Sequence, residues 1–213
     1  MGWGGPAHGE FGYAFADIGS DPENRVVIIT GTGDDYCAEF EGTRPHRTPK
    51  TWDLTYWEGK RLLVNLLEIE VPIIGAINGP ALIHAEIPVM SDIVLASENA
   101  TFQDAPHFPN GVVPGDGVHV IWPALLGQNR GRYFLLTGQT LSAKEALDLG
   151  VVAEVLPRDR LLPRTWELAE QLAEKPDLTL CYSRVAMTLQ LKRQMQDMLG
   201  YGLAIEGLAA VDV

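Results

Sequence analysis

His107 and Asp116 stand nine residues apart in Phe102-Gln-Asp-Ala-Pro-His-Phe-Pro-Asn-Gly-Val-Val-Pro-Gly-Asp-Gly117, a stretch holding three prolines and three glycines. Proline removes a backbone donor and fixes φ, while glycine weakens helix and strand alike. The stretch therefore predicts a loop of fixed path, the kind of segment on which a scaffold presents catalytic groups. A histidine beside a carboxylate suits general base chemistry. The carboxylate holds one ring nitrogen as N–H and stabilises the imidazolium, which leaves the other nitrogen to take a proton from water. Read alone, His107 equally fits a loop histidine bonded to backbone, and Asp116, flanked by glycines, fits a turn residue. Only their shared loop joins them.

Other chemistries fail on spacing. No Gly-x-Ser-x-Gly elbow occurs. Gly31-Thr-Gly33 follows a strand-like run, but Tyr36 stands where a dinucleotide fingerprint needs its third glycine, and no helix pattern opens there. His8, His46, His84 and His119 invite a metal reading with Asp116. None of them forms the i,i+4 pair of a helical zinc site, so no metal is expected. Cys37 and Cys181 form neither a framework nor a ligand pair, which fits a reducing compartment, and Cys37 reads as packing.

The chain that must position these groups has 213 residues, 46% hydrophobic and 21% charged, with net charge −12. That suits a single soluble domain with a substantial core. The negative balance argues against nucleic acid or an anionic membrane as partner. No apolar run reaches ~18 residues, so no membrane span is expected. The opening Met1-Gly-Trp-Gly-Gly-Pro6 lacks the basic and apolar segments of a secretory leader, and a cytoplasmic location is expected.

Apolar residues Phe11, Phe15 and Ile18 predict a short helix stopped by Gly19. The β-branched runs at 25–30 and 73–78 read as buried parallel strands. Between them come a long polar loop over 34–50 and a helix capped by Thr51 that runs to about 67. Residues 81–90 read as a short helix carrying His84 and Glu86, with further strands at 92–96, 101–103 and 151–156. Helices are expected at 118–125 and 131–137. Ser142-Ala-Lys-Glu145 forms a capping box whose helix Gly150 closes. Beyond 157 only helix patterns remain, at 161–174, 177–199 and 203–211. The reading is an α/β core over 1–157 followed by a helical region over 158–213.

Several of these pieces together resemble the crotonase (enoyl-CoA hydratase/isomerase) superfamily. They are Val26-Val-Ile-Ile-Thr-Gly-Thr-Gly33, Pro72-Ile-Ile-Gly-Ala-Ile-Asn-Gly79, Ser91-Asp-Ile-Val-Leu-Ala96, Pro114-Gly115 and Leu135-Leu-Thr-Gly138. Within it, His84, the run Phe102 to His107, Gly115-Asp-Gly117 and Ala204-Ile-Glu206 resemble the β-diketone hydrolases of the 6-oxocamphor hydrolase type. The resemblance implies a spiral of ββα turns with a C-terminal helical region that assembles a homotrimer or a dimer of trimers. Set against that family, the first N-terminal edge strands are missing.

The departures from thioester-processing members carry the functional expectation. A glycine-rich segment that builds their oxyanion hole reads Pro80-Ala-Leu-Ile-His84 here. Their CoA-binding run is replaced by Cys37-Ala-Glu-Phe40, and their second catalytic glutamate by His107. The resemblance thus implies a hydrolase of carbon–carbon bonds, acting on a cyclic β-diketone by a retro-Claisen reaction with no cofactor. His107 and Asp116 would activate water and His84 would donate to a substrate carbonyl. Trp3, Glu206 and Phe40 would contact substrate, and Glu86 would be structural. Two alternatives remain open: a CoA-thioester hydratase or isomerase with Glu86 as acid/base, and a non-catalytic assembly subunit.

Overall fold

The computed structural model describes residues 2–42 and 47–211. Residues 43–46, inside the expected loop and including His46, lie outside that description, as do Met1 and the last two residues. The chain opens with β1 (Gly2–Trp3), α1 (Ala7–Ser20), β2 (Val27–Thr30), β3 (Glu39–Phe40) and α2 (Pro49–Glu68). It continues through β4 (Ile73–Ile77), α3 (Glu86–Val89), β5 (Ile93–Ser97) and β6 (Thr101–Phe102). After a 3-10 turn at Phe108–Asn110 come α4 (Val118–Leu126), α5 (Gln128–Thr137), β7 (Leu141–Ser142) and α6 (Ala143–Asp148). The last elements are β8 (Glu154–Leu156), α7 (Arg158–Ala173) and α8 (Asp177–Ala210). No described helix is long and apolar enough to cross a membrane.

The main sheet runs β2-β4-β5-β8, every pair parallel. A parallel sheet needs both faces covered, and the β-branched composition of its strands reflects that. On one face Ile73 and Ile77 join Leu62, Leu63 and Leu66 of α2 in the large core. On the other, Ile74, Ala76 and Leu95 meet Leu161 and Ala169 of α7. Each such side chain, buried almost completely, stabilises the fold by about 1.5–3 kcal/mol. So α7 covers the sheet, while α8 packs along α2 and against α4. Arg184 of α8 is buried and ties the elements together: Nε donates to Asp92 Oδ2 at 2.8 Å and Nη1 to the Leu67 carbonyl at 3.2 Å.

Strand ends are held by Asn78. Its Oδ1 accepts from the Gly31 N–H at 3.0 Å and its Nδ2 donates to the Gly33 carbonyl at 3.0 Å. Gly31-Thr-Gly33 is thus a strand-end turn, in keeping with its failure as a dinucleotide motif. Past it, Ala81 bridges Cys37 and Phe102 in parallel, so the segment expected to be helix over 81–90 is helical only over Glu86–Val89. Backbone pairing to two neighbours won over the helical pattern. In that segment His84 has φ +50°, the one positive φ among described non-glycine residues. A histidine held there implies local strain of the sort found at working sites.

Two helix boundaries differ from expectation for physical reasons. Thr48, not Thr51, caps α2, and Thr51 reciprocates from the third helical position. The two helices expected over 177–211 are one, α8 of 34 residues, running through Gly200 and Gly202. Gly202 is there for contact. A Cβ on it would lie 2.2 Å from the Gly115 carbonyl and 2.3 Å from His119 Cε1. Gly115 is the reciprocal case, its added Cβ meeting the Gly202 carbonyl at 2.2 Å.

Gly202→Ala is therefore expected to reverse the usual helix rule. Propensity alone would stabilise by about 0.8–1 kcal/mol, whereas crowding at this contact should destabilise by about 1–3 kcal/mol. Urea unfolding decides the sign, and a gain in midpoint would refute the contact's role.

Candidate active site

The Pro/Gly loop from Phe102 to Gly117 folds back on the end of β6 and lays His107 against α8. His107 is buried, 5% exposed. Its Nδ1 sits 2.6 Å from Asp104 Oδ1, a charge-assisted bond that fixes Nδ1 as the N–H. On the other side of the ring, Nε2 lies 3.4 Å from Asp116 Oδ2 and 3.6 Å from Glu206 Oε1. The expected pairing is thus corrected. Asp104, three residues back on the same loop, orients the ring, and Asp116 stands at the opposite nitrogen. The loop turns between them at Phe108–Asn110, and Gly111 at φ +73° brings the chain round.

His84 forms a second, adjoining unit. Its Nδ1 is 2.7 Å from Glu86 Oε1, both residues buried, and 3.8 Å from Asp116 Oδ2. Trp3 lies over His84 with ring centroids 4.0 Å apart and stacks on Phe11 at 5.4 Å. The parallel β1–β3 pair sets Trp3 opposite Phe40. The Trp3 indole N–H points at His8 Nδ1, 3.4 Å away.

His8, His84, His107, Asp116 and Glu206 line one cavity of about 200 Å³, together with Arg47 and Trp52. All six residues expected at the site, Trp3, Phe40, His84, His107, Asp116 and Glu206, are among its walls. Trp52 is anchored by donating its indole N–H to the Leu203 carbonyl at 2.9 Å, and Arg47 lies 6.0 Å from its ring centre. Four site residues escaped the sequence reading in these roles: Asp104, His8, Arg47 and Trp52. The signal for Asp104 was present in the i,i+3 spacing to His107; for the others only folding supplies it. Of the histidines weighed for a metal, His119 is not in the cavity wall, its Nε2 lying 3.4 Å from the Met198 carbonyl.

Burial and charge compete over each proton. For His107 desolvation opposes the charged form, yet the Asp116 charge and the bonds to Asp104, Asp116 and Glu206 outweigh it and hold the imidazole well above its ordinary range. Burial likewise opposes a charged His84, and the neighbouring Glu86 carboxylate reverses that, so its pKa rises. His8 has no such partner, and burial with the neighbouring His84 charge pushes it down to about 3. It is neutral and accepts from Trp3. Asp116 resists burial because His107 and His84 attract its charge, and its pKa falls. Glu206, with burial dominant, is pushed up to about 7. His107 is thus protonated at rest, and the Glu206 carboxyl beside it titrates near neutrality, the range an acid–base centre uses.

A model of the enoyl-CoA hydratase/isomerase family matches residues 7–205. The carnitinyl-CoA dehydratase of Salmonella enteritidis PT4 is 32% identical over 171 residues, 79% of this chain and 65% of that enzyme. The chain thus spans less than two thirds of the length of such curated relatives. Among solved structures, a β-diketone hydrolase from the cyanobacterium Anabaena sp. PCC 7120, bound to (S)-3-oxocyclohexyl acetic acid, is 53% identical with a TM-score of 0.97. That match covers 100% of this chain and 86% of the other. An enoyl-CoA hydratase/isomerase from Mycobacterium paratuberculosis is 25% identical with a TM-score of 0.88, over 96% of this chain and 83% of its own.

The raised Glu206 carboxyl makes a signed prediction. Its pKa moves from 4.5 to about 7 on folding, so the folded state binds the proton more tightly. The associated stability is present below the unfolded value and lost as pH rises through the folded one. Glu206→Gln should gain on the wild type by on the order of 1–3 kcal/mol between about pH 5 and about pH 8. Chemical denaturation of both proteins in chelator-treated buffer measures this, and a constant or falling difference would contradict it.

Proposed function

The chain belongs to the enoyl-CoA hydratase/isomerase family, and from its site we propose that it hydrolyses a carbon–carbon bond of a cyclic β-diketone to give a keto acid. The observation that carries this is His107, buried and fixed at Nδ1 by Asp104 at 2.6 Å, with Nε2 turned to Asp116 and Glu206 in the cavity wall. It is a water-activating base in a member of a family that handles thioesters. The similarity to the Anabaena β-diketone hydrolase supports the same reading.

The reaction uses only this chain's groups. When the Nε2 proton passes to Glu206, Nε2 has a free lone pair and removes a proton from water. The oxygen left behind bonds to one carbonyl carbon, whose π electrons move to oxygen. When that carbonyl re-forms, the carbon–carbon bond breaks, and its electron pair enters the enolate of the second carbonyl. The proton on Nε2 then goes to the enolate carbon. One water is consumed and no oxidant is needed. His84, kept protonated by Glu86, supplies an N–H to an oxygen that gains charge, and the Trp3 indole N–H becomes a second donor when it exchanges His8 for that oxygen. Each preorganised donor of this kind is worth ~10²–10³ in rate.

Glu86 is buried and bonded to His84 at 2.7 Å, which favours a supporting role over the acid/base role that CoA-thioester hydration would give it. Glu41 in the cavity wall and the exposed Glu39 also make the approach unfavourable for the phosphates of CoA. Assembly as a homotrimer or a dimer of trimers belongs to the proposal. Its support is the series of exposed apolar side chains along α8, including Leu178, Tyr182, Met187, Tyr201 and Leu208.

His107→Ala and Asp116→Asn should each lower turnover of a cyclic β-diketone by at least ~10². Replacing the donor in His84→Ala should lower kcat by ~10²–10³. Product carboxylate formed per unit time is the measurement. Unchanged rates in His107→Ala, or no turnover of any cyclic β-diketone alongside calorimetric CoA binding, would overturn the assignment in favour of thioester chemistry.

A further inference from the structure

The contacts at His107 Nε2 are longer than the usual hydrogen bond. At 3.4 and 3.6 Å, Asp116 and Glu206 stand beyond the usual N–H···O range, about 2.7–3.2 Å. They do match the spacing between ligands of a tetrahedral zinc ion. Zn–N and Zn–O bonds of about 2.0–2.2 Å place neighbouring ligand atoms about 3.3–3.6 Å apart. The three ligand atoms all lie within 4.8 Å of one another.

Two further features fit a built site. Asp116 Oδ1 and Glu206 Oε2 are buried without a hydrogen-bond partner, and Glu206 is only 5% exposed. They are the second oxygens of the carboxylates whose Oδ2 and Oε1 face Nε2, and a cation held there would neutralise both buried carboxylates. His107 also carries on Nδ1 the carboxylate partner, Asp104 at 2.6 Å, that metal-binding histidines use to fix their tautomer and raise their basicity. The neighbouring group of His84, Glu86 and Asp116 is less suited, because its 2.7 Å hydrogen bond would have to break first. A nitrogen among the ligands favours zinc over magnesium or calcium, which take oxygen.

We propose that His107, Asp116 and Glu206 form a Zn²⁺ site whose occupation switches the hydrolase off. The ion takes the Nε2 lone pair and both carboxylates and releases the protons they hold, leaving its fourth position to the cavity. With Nε2 bonded to metal, the proton of the attacking water has nowhere to go. The inhibitory half rests on the β-diketone hydrolase reading; the binding half stands without it.

The full chain, stripped with chelator, is titrated with Zn²⁺ by calorimetry and with Co²⁺ by visible absorption, and turnover is followed alongside. The expected result is one ion per chain, the intense absorption of tetrahedral Co²⁺, and turnover lost in step with occupancy and restored by EDTA. Glu206→Gln and His107→Gln should each weaken Zn²⁺ binding at least ~10-fold, the scale on which even outer partners act. His119→Gln, outside the group, should not change it. Absence of binding, or binding that survives both substitutions, overturns the site. Turnover that rises with Zn²⁺ overturns the inhibitory role. Should no diketone be turned over with or without metal, the hydrolase reading fails while calorimetry and the Co²⁺ spectrum still decide the site.

Discussion

The catalytic loop touches α8 backbone to backbone, at Gly115 and Gly202, and the composition of the site follows from that contact. Side chains at either position would hold the two segments apart. With glycine at both, Asp116, the next residue on the loop, and Glu206, one turn further along α8, close on the same nitrogen of His107. Residues about ninety positions apart in sequence become one proton-holding unit. The long α8 can serve in this way because it is anchored elsewhere, through Arg184 to Asp92 and to the end of α2. Helix propensity is given up at Gly200 and Gly202, and packing against α2 compensates.

Bringing so many ionisable groups into a water-poor cavity would be prohibitive if each were charged alone. The arrangement avoids this by alternation. Asp104, His107, Asp116, His84 and Glu86 follow one another as carboxylate and imidazole, at 2.6, 3.4, 3.8 and 2.7 Å. Each imidazolium lies beside more than one carboxylate, so burial fails to neutralise it. Glu206 is a further carboxylate beside this series, and its pKa near 7 expresses the excess of carboxylates over imidazoles. In the two proposals Glu206 is the proton acceptor during turnover and a ligand to the divalent cation.

Much of the fold was legible because its signals are local. The strands at β2 and β4 are runs of β-branched residues, and the Ser142–Glu145 capping box opens α6 as its spacing demands. The single α8 was not legible as one helix, since Gly200 and Gly202 read as breaks and their reason lies in distant segments. At the site, His107 and Asp116 stood out through the Pro/Gly loop that carries them. Glu206 had no local signal at all, and only likeness to the family marked it. Asp104 was overlooked although its spacing to His107 was visible. A carboxylate nine residues off drew attention from one three residues off, and only the turn at 108–110 decides which faces which nitrogen.

His84 marks a departure of this chain from the glycine-rich segment of its thioester-processing relatives. In thioester-processing relatives, the resemblance puts glycine in this segment, where small residues let backbone N–H groups reach a carbonyl. Here the backbone keeps a glycine-like turn, φ +50°, with an imidazole mounted on it. Such a conformation costs of order 1–3 kcal/mol for a residue with a side chain. In return the donor becomes a charged N–H, held by Glu86 on one side and covered by Trp3 on the other. A charged donor stabilises an oxyanion about twice as strongly as a neutral one. On the proposed hydrolase reading, that stronger donor serves the enolate that leaves from carbon, and the strain at His84 accompanies it.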